Sequence, residues 1–442
     1  MKTITFTSVL ICLFCLAITA QIYDNHQKDY QLVSMTEART EAKRTHRMIL
    51  CDYQPSGLYV RKGERITFDV SELDTDYRLS SMIGFKPMWG NHNKTQEDNL
   101  VEGINTVTAT QNGILSFIFV KKAGYDFEPV TVDVKVKGGK AFPLYQIGQT
   151  EDEDWEKNLA AMTDAPFVQM VSDKALITLP YQDYMTSPIE DVEASFETIH
   201  KVIDWENELA GFDGSSPENA VTNNRINYLI DIYATPEDAK KFYMYASSYF
   251  IGMKKINFTE LTHKLDKEWG IWHEIGHTHQ QRSWLFGSIT EISVNIFSLY
   301  VQEKFGQPSR LNTIQGGDKM KPFDSARDYL DNPDKNYLVI NKDDYSEFFS
   351  KLVMFYQLKA VYGWNTFKKL NQHFRKQPYV YDPKVTDQDK ANKFVYAMCV
   401  ITKNNLIPFF DEWGLEVDAD TEQKIQQLNL PSPKVDPTTI FR

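Results

Sequence analysis

Between residues 271 and 281 the sequence reads IWHEIGHTHQQ, and this segment constrains the chain more than any other. Three of the nine histidines fall within these few positions. Each residue of an α-helix advances about 100°, so His273 and His277 lie about 40° apart on one face, bordered by Glu274. His279 lies about 240° round from His273 and cannot join them from the same side. Two imidazoles one turn apart can share a zinc ion, and the carboxylate between them then reaches the water that such an ion activates. Zinc brings the pKa of that water toward neutrality, and Glu274 is suited to take its proton and hand it to a leaving amine. The plainer alternative is a solvated helix with two unrelated histidines. It fits poorly with the apolar neighbourhood, which includes Trp269 and Trp272. That apolar texture predicts one helix over 262–284 and a second starting near Ser288.

A catalytic zinc normally takes three protein ligands and a water. The pattern HExxHxxGxxH is ruled out, because Gln280 and Ser283 occupy the required glycine and histidine positions. The best remaining ligand is Glu291, which a turn at Gly287 can bring back beside the first helix. A competing reading exists: Ser288-Ile-Thr-Glu291 also matches the S-x-x-E capping box, in which the glutamate only caps a helix start. Spacing leaves both open. Asn295, one turn beyond Glu291, is placed either to orient a ligand by hydrogen bonding or simply to sit satisfied on its helix.

Elsewhere the chain changes texture. Residues 22–50 are polar, with room for a short helix or a linker. From Cys51 to about 140 the pattern has period two, as in GLYVRKGERITFDVSEL and PVTVDVKVKGGKAF, and predicts a small β-sandwich over 45–140. Beyond it the expectation is mixed: a strand at 175–180, a helix over 189–212 and an extended stretch at 242–253. The last is either an ordinary core strand or an edge strand that aligns an extended substrate by backbone pairing. Helices dominate after residue 340, one of them with Asn365 as its expected N-cap. The expected fold class is therefore α+β. The expected domains are a leader over 1–20, a linker over 21–44, the sandwich over 45–140, a catalytic domain over 141–330 and a helical subdomain over 331–442.

Composition narrows the remaining possibilities. The net charge is −12 and no lysine- or arginine-rich block stands out, which disfavours nucleic acid and anionic membranes as partners. No stretch past the N-terminus approaches the ~20 apolar residues needed to span a bilayer. Residues 1–20, MKTITFTSVLICLFCLAITA, read as a signal peptide and predict export, with a buried N-terminal helix as the alternative. Cys12 and Cys15 within it allow a lipoprotein as a lesser option, since neither has a leucine three residues upstream. The other two cysteines, Cys51 and Cys399, make neither a disulfide framework nor a cysteine-based zinc site.

With these residues in view, the chain resembles the M60-like peptidase family, the enhancin-like, mucin-degrading zinc peptidases. In that family HExxH is followed, after a short variable gap, by a glutamate. His273, Glu274, His277 and Glu291 match the motif position by position, and WHEIGHTHQQ and TEISVNIFSLYV share the family's texture. PSGLYVRKGERITF, at 55–68, is similar to the start of the β-sandwich that precedes the family's catalytic domain. Together the likeness covers most of 45–430. It implies an N-terminal β-sandwich followed by a zincin-like catalytic domain of the gluzincin type and a helical C-terminal subdomain. It also implies Zn2+ held by His273, His277 and Glu291, with Glu274 as general base, and so favours the ligand reading of Glu291 over the capping one. The implied partner is an extracellular glycoprotein, often a heavily O-glycosylated mucin, with glycan contacts that no residue pattern locates. A donor to the transition state is expected opposite Glu274, and Tyr300, Tyr337 and Tyr345 are eligible. Two other functions stay open: a non-catalytic glycan-binding or adhesion protein with a vestigial zinc site, and a zinc peptidase of unglycosylated peptides.

Overall fold

Alternating apolar residues pair into sheets only when each buried face finds a partner face. The strand Thr131–Lys137 shows the pattern plainly, with Val132, Val134 and Val136 buried and every residue between them exposed. The computed structural model describes residues 27–86, 95–125, 127–235, 237–314, 320–340 and 345–440. It is a mixed α+β protein that divides into two compact units. The expected leader at 1–20, with Cys12 and Cys15, lies outside the described residues. Among the described residues no helix is long and apolar enough to cross a membrane.

The first unit takes in the chain up to Glu37 together with Asp52–Val171 and Thr178–Thr186. It holds an antiparallel four-stranded sheet in the order Gln27–Val33, Thr131–Lys137, Arg65–Val70, Gly103–Thr108. A second sheet runs Lys140–Ala141, Tyr53–Val60, Gly113–Lys121, Tyr77–Ile83, Gln96–Leu100, with Met35–Thr36 added parallel to Gly113–Lys121. One apolar core joins them, including Phe68, Val134 and Val136 from the first sheet and Leu115, Phe117 and Phe119 from the second. The sequence reading left 21–44 as a linker. Gln27–Val33 is instead an edge strand whose Leu32 enters this core, while Ala38–Thr45 is the short helix for which the polar stretch 22–50 has room. The PSG of PSGLYV makes an irregularity in Tyr53–Val60: the register shifts between Pro55 and Leu58, and Gly57 has φ 67°, a conformation open to glycine. Ser56 compensates there, its hydroxyl donating to the Leu115 carbonyl (2.6 Å) and accepting from the Leu58 amide (3.0 Å).

The second unit comprises Ala38–Cys51, Ser172–Ile177 and Ser187–Arg442. Its sheet strands include Ile226–Ile230 and, parallel to it, Phe250–Met253, with Tyr245–Ser247 antiparallel at the sheet's end. Helices supply the rest, among them Val192–Leu209, Tyr345–Tyr362 and Asp387–Thr402. Their buried faces gather around Trp284, Phe355, Phe394, Phe410 and Trp413. Cys51 and Cys399 are both free thiols and both buried.

Two helix expectations are corrected. Residues 262–284 are not one helix: Lys255–His263 stops, a turn follows, and Trp269–His277 begins afresh. The buried indole of Trp272 donates to the Leu265 carbonyl at 2.7 Å, which holds that turn in place. At the far end the side chains of Thr278 and His279 both bond the Ile275 carbonyl (2.7 and 3.0 Å), which an onward helical turn would have needed. Asn365 is not an N-cap either; Trp364 occupies that position, with helical dihedrals, and Asn365 is the first residue of the helix Asn365–Arg375.

Candidate active site

The motif helix is short, and His277 is its last residue. The chain then turns and returns as Thr290–Lys304, packed against it. Gly276 makes this approach possible. A Cβ there would lie 3.0 Å from Val294 Cγ2, 3.1 Å from the Val294 carbonyl oxygen and 3.2 Å from Phe297 Cβ. The glycine in HEIGH therefore lets the second helix bring its first turn, and Glu291, over the histidines.

The three expected ligand atoms converge. His273 Nε2 lies 3.0 Å from His277 Nε2, and Glu291 Oε2 lies 3.1 Å from the first and 3.5 Å from the second. The capping alternative for Glu291 fails on this geometry, because Ser288 Oγ has no hydrogen-bond partner among the described residues and Ile289 is the N-cap. Glu291 is half-exposed, so the cluster opens to solvent on one side.

Two amides fix the protons on the imidazoles. Asn295 Nδ2 donates to the Glu291 carbonyl (2.8 Å) and Trp269 Nε1 donates to Asn295 Oδ1 (3.0 Å), so Oδ1 is the atom facing His273 Nδ1 at 2.9 Å. That nitrogen must carry the proton. Gln280 does the same for His277: its Nε2 donates to the Thr290 carbonyl (2.7 Å) and to Ser293 Oγ (2.9 Å), leaving Oε1 to accept from His277 Nδ1 at 2.7 Å. Both Nε2 lone pairs thus point at each other and at a carboxylate. Three lone-pair donors meeting this closely suit a cation, and ligands about 2.0–2.1 Å from a tetrahedral zinc stand about 3.3 Å apart. The donor set and spacing fit Zn2+.

The charges agree. Burial pushes the Glu291 carboxyl up, but the neighbouring His273 and His277 hold it well below the usual carboxylate range. Burial likewise works against a charge on His277, yet its contacts with Glu291 and Glu274 raise its pKa above the ordinary value. The Glu274 carboxyl is buried beside them and pushed up chiefly by that burial, with the two histidines and the Ala246 backbone amide pulling the other way. Ala246 sits in Tyr245–Ser247, the terminal strand of its sheet, so the stretch 242–253 does supply an edge strand beside Glu274.

The remaining candidates lie elsewhere. His279 turns away and is buried, with Nε2 3.1 Å from Asn207 Oδ1 and Nδ1 3.2 Å from Glu206 Oε2. Tyr337 is buried, donating to the Lys351 carbonyl (2.8 Å), and Tyr300 hydrogen-bonds Glu208, so neither hydroxyl is aimed at the histidines. The side chain of Tyr345 lies outside the described residues. Sequence reasoning missed Gln280 as a partner of His277. The available signal was its place three residues on, just past the helix end.

The family described as "Peptidase M60, enhancin and enhancin-like" matches residues 138–414, more than half of the chain. Among curated relatives, TRPM8 channel-associated factor 3 of Rattus norvegicus is 23% identical over 338 residues, 75% of this chain and 34% of the relative. TRPM8 channel-associated factor 1 of Homo sapiens is 23% identical over 428 residues, 92% of this chain and 43% of the relative. The chain thus spans well under half the length of these relatives. Among solved structures, a functionally unknown conserved protein from Bacillus anthracis str. Ames is 30% identical with a TM-score of 0.79, covering 93% of this chain and 80% of that one. The ZmpB metallopeptidase from Clostridium perfringens has a TM-score of 0.74 at 18% identity, covering 93% and 81%. The M60 catalytic domain of Clostridium perfringens ZmpC, solved with the sialyl T antigen, has a TM-score of 0.72 at 18% identity, again over 93% and 81%. At that identity the last two share the fold. With more than half of its length matched, this chain belongs to the peptidase M60, enhancin and enhancin-like family.

Proposed function

We infer that the chain is a secreted, zinc-dependent endopeptidase that hydrolyses peptide bonds in extracellular glycoproteins, O-glycosylated mucin-type proteins foremost. The observation that carries this reading is the convergence of three lone-pair donors, two from the motif helix and one from the helix packed on it, beside the buried Glu274. His273, His277 and Glu291 hold the metal in this proposal, and Glu274 is the general base. A zinc ion held by these three residues would supply Lewis acidity, lowering the pKa of a water and polarising a carbonyl. Asn295 and Gln280 keep both Nε2 atoms unprotonated and aimed inward. Glu274, raised by burial, takes the proton from the attacking water and delivers it to the leaving amine nitrogen. Tyr245–Ser247, at the end of its sheet, offers backbone groups to an extended substrate, and the Ala246 amide ties that strand to Glu274.

In this proposal 1–20 is the export signal, 45–140 a β-sandwich, 141–330 a zincin-like catalytic domain of gluzincin type, and 331–442 its helical subdomain. The glycoprotein substrate draws support from two structural neighbours, one solved with the sialyl T antigen and another, a metallopeptidase, with the Tn antigen. The test is Glu274→Gln, which removes the base and keeps the side chain's size. It is expected to retain one zinc per chain and to lose cleavage of mucin by about 10²–10⁴-fold. Wild-type cleavage by this variant would sink the mechanism. Faster digestion of the same mucin after enzymatic removal of its O-glycans would instead favour unglycosylated peptides as substrates.

A second reading has one specific observation behind it: the curated relatives are named as channel-associated factors and not as peptidases. It makes this chain a non-catalytic glycan-binding protein with a vestigial metal site. Zinc-dependent cleavage of any protein substrate, abolished by Glu274→Gln, removes it.

A further inference from the structure

Beyond the metal cluster, the second unit contains a cavity of about 280 Å³ that the proposed chemistry does not use. Its wall is the loop from Gln377 to Val385, completed by His46, Ser283 and the face of the helix Asp387–Thr402 that carries Lys390 and Lys393. Sequence gave no hint of it, because its parts come from three distant segments.

The lining has two chemical characters. One is flat and apolar: Tyr379 and Tyr381, with Pro378 and Pro383, line it. Tyr381 is 75% exposed and its neighbour Val380 80% exposed, a large apolar display on a surface loop. Tyr379 is held by packing on His46, with ring centroids 5.4 Å apart. His46 is itself fixed through Nδ1 to Ser283 Oγ at 3.1 Å, so this side of the cavity is preformed.

The other character is cationic. Lys390 and Lys393 line the cavity, and Arg282 is close enough to act electrostatically on both Lys390 and Tyr379. Lys390 is anchored by donating to the Leu285 carbonyl at 2.9 Å. Neither Arg282 nor Lys393 makes an ion pair among the described residues. Three carboxylates are nearby: Asp382 Oδ1 accepts from the Lys384 amide (2.9 Å), Asp387 Oδ1 from the Gly287 amide (2.8 Å) and Asp389 Oδ2 from the Thr386 amide (2.8 Å), with Asp387 acting on Lys390 and Asp389 on Lys393. What is left over for a ligand is the exposed Lys393 ammonium, whose donors no hydrogen bond or ion pair uses among the described residues.

Aromatic and proline faces suit the C–H face of a sugar ring, and ammonium groups suit a carboxylate or sulfate attached to it. We propose that this cavity is a second binding site, distinct from the metal cluster, for a negatively charged monosaccharide unit of a glycan. The ring lies against Tyr379 and Tyr381, and its acidic group is met by Lys390 and Lys393. This extends the glycoprotein reading above and takes its biological sense from it. Binding itself needs neither zinc nor cleavage.

The experiment is therefore titration calorimetry on the Glu274→Gln full-length chain, with zinc and after chelation. The probes are sialyllactose, its neutral parent lactose, and sodium sulfate at matched ionic strength. Sialyllactose is expected to bind equally with and without zinc, and lactose at least about tenfold more weakly, the loss of one charge-assisted contact. Lys393→Gln and Tyr381→Ala, both at exposed positions, are each expected to weaken sialyllactose by about tenfold with the melting temperature unchanged. Equal binding of lactose, or no effect of Lys393→Gln, overturns the acidic-sugar assignment. Sulfate binding as tightly as sialyllactose reduces the cavity to an anion site and overturns the role of the ring. Loss of mucin cleavage by the wild type with sialyllactose binding intact would refute the peptidase reading and leave this one standing.

Discussion

Removing the Asn295 side chain tests whether the site works through preset imidazoles. Asn295 makes three hydrogen bonds: from Trp269 Nε1 (3.0 Å), from His273 Nδ1 (2.9 Å) and to the Glu291 carbonyl (2.8 Å). Asn295→Ala deletes all three. At about 0.5–1.5 kcal/mol net each, the three together contribute about 1.5–4.5 kcal/mol of stability. Water can reach the opened space from the half-exposed side of the cluster, so the lower half of that range is expected. The effect on the metal is separate. Without Oδ1, His273 is free to rotate and to place its proton on Nε2, and losing such a partner typically weakens metal binding about 10–100-fold. That corresponds to about 1.4–2.7 kcal/mol. The assay is zinc titration against a competing chelator, run beside thermal unfolding of the metal-free protein. Gln280→Ala makes the parallel test at His277, whose Nδ1 partner it removes. A melting temperature that falls while zinc affinity stays within about twofold of wild type would refute the argument, because the amide would then be packing and not positioning.

Other perturbations address other parts of the argument. Gly276→Ala places a methyl 3.0 Å from Val294 Cγ2, so the two helices are expected to separate, at a cost of about 1–3 kcal/mol, with zinc affinity falling as Glu291 withdraws; unchanged affinity would show that the close approach is unnecessary. Zinc competes with a proton on His277, whose pKa is raised, so affinity is expected to weaken as pH falls from a point above the ordinary 6.5, approaching about tenfold per pH unit, while Glu291 stays ionised. Affinity flat down to about pH 5.5 would contradict the raised value. Trp413→Ala removes a fully buried indole that stacks on Tyr329 and donates to Gln357 Oε1 at 2.9 Å, and is expected to destabilise by about 3–5 kcal/mol in denaturant unfolding. A loss below about 1 kcal/mol would show that the helical core repacks around the gap.

Local periodicity made much of this protein legible. The alternation in PVTVDVKVKGGKAF gave a strand with one buried face, and Thr131–Lys137 is such a strand. The strand expected at 175–180 and the helix expected within 189–212 appear as Ala175–Pro180 and Val192–Leu209. The errors fell where tertiary contacts outvoted pattern. A continuous helix over 262–284 satisfied every local preference, but the Trp272 indole and the Thr278 and His279 side chains take carbonyls that a continuing helix needs. Gln27–Val33 lies where a linker or a short helix is expected, and its strand escaped the pattern because an edge strand needs few apolar residues on its one buried face.

What the sequence by itself determined is the chemistry available: two imidazoles and a carboxylate on one helical arc follow from a 3.6-residue turn wherever that helix lies. Family resemblance strengthened Glu291 as the third ligand, whose spacing alone allowed a helix cap almost as readily. Only the tertiary structure decided between these, because the choice depends on a close crossing at Gly276 that puts Glu291 Oε2 3.1 Å from His273 Nε2. The same packing chose Asn295 and Gln280 as the groups that set the imidazole protons, and turned His279 into the core. Most of these contacts join residues from different helices, as between His273 and Asn295 or His279 and Asn207, and no local period encodes them.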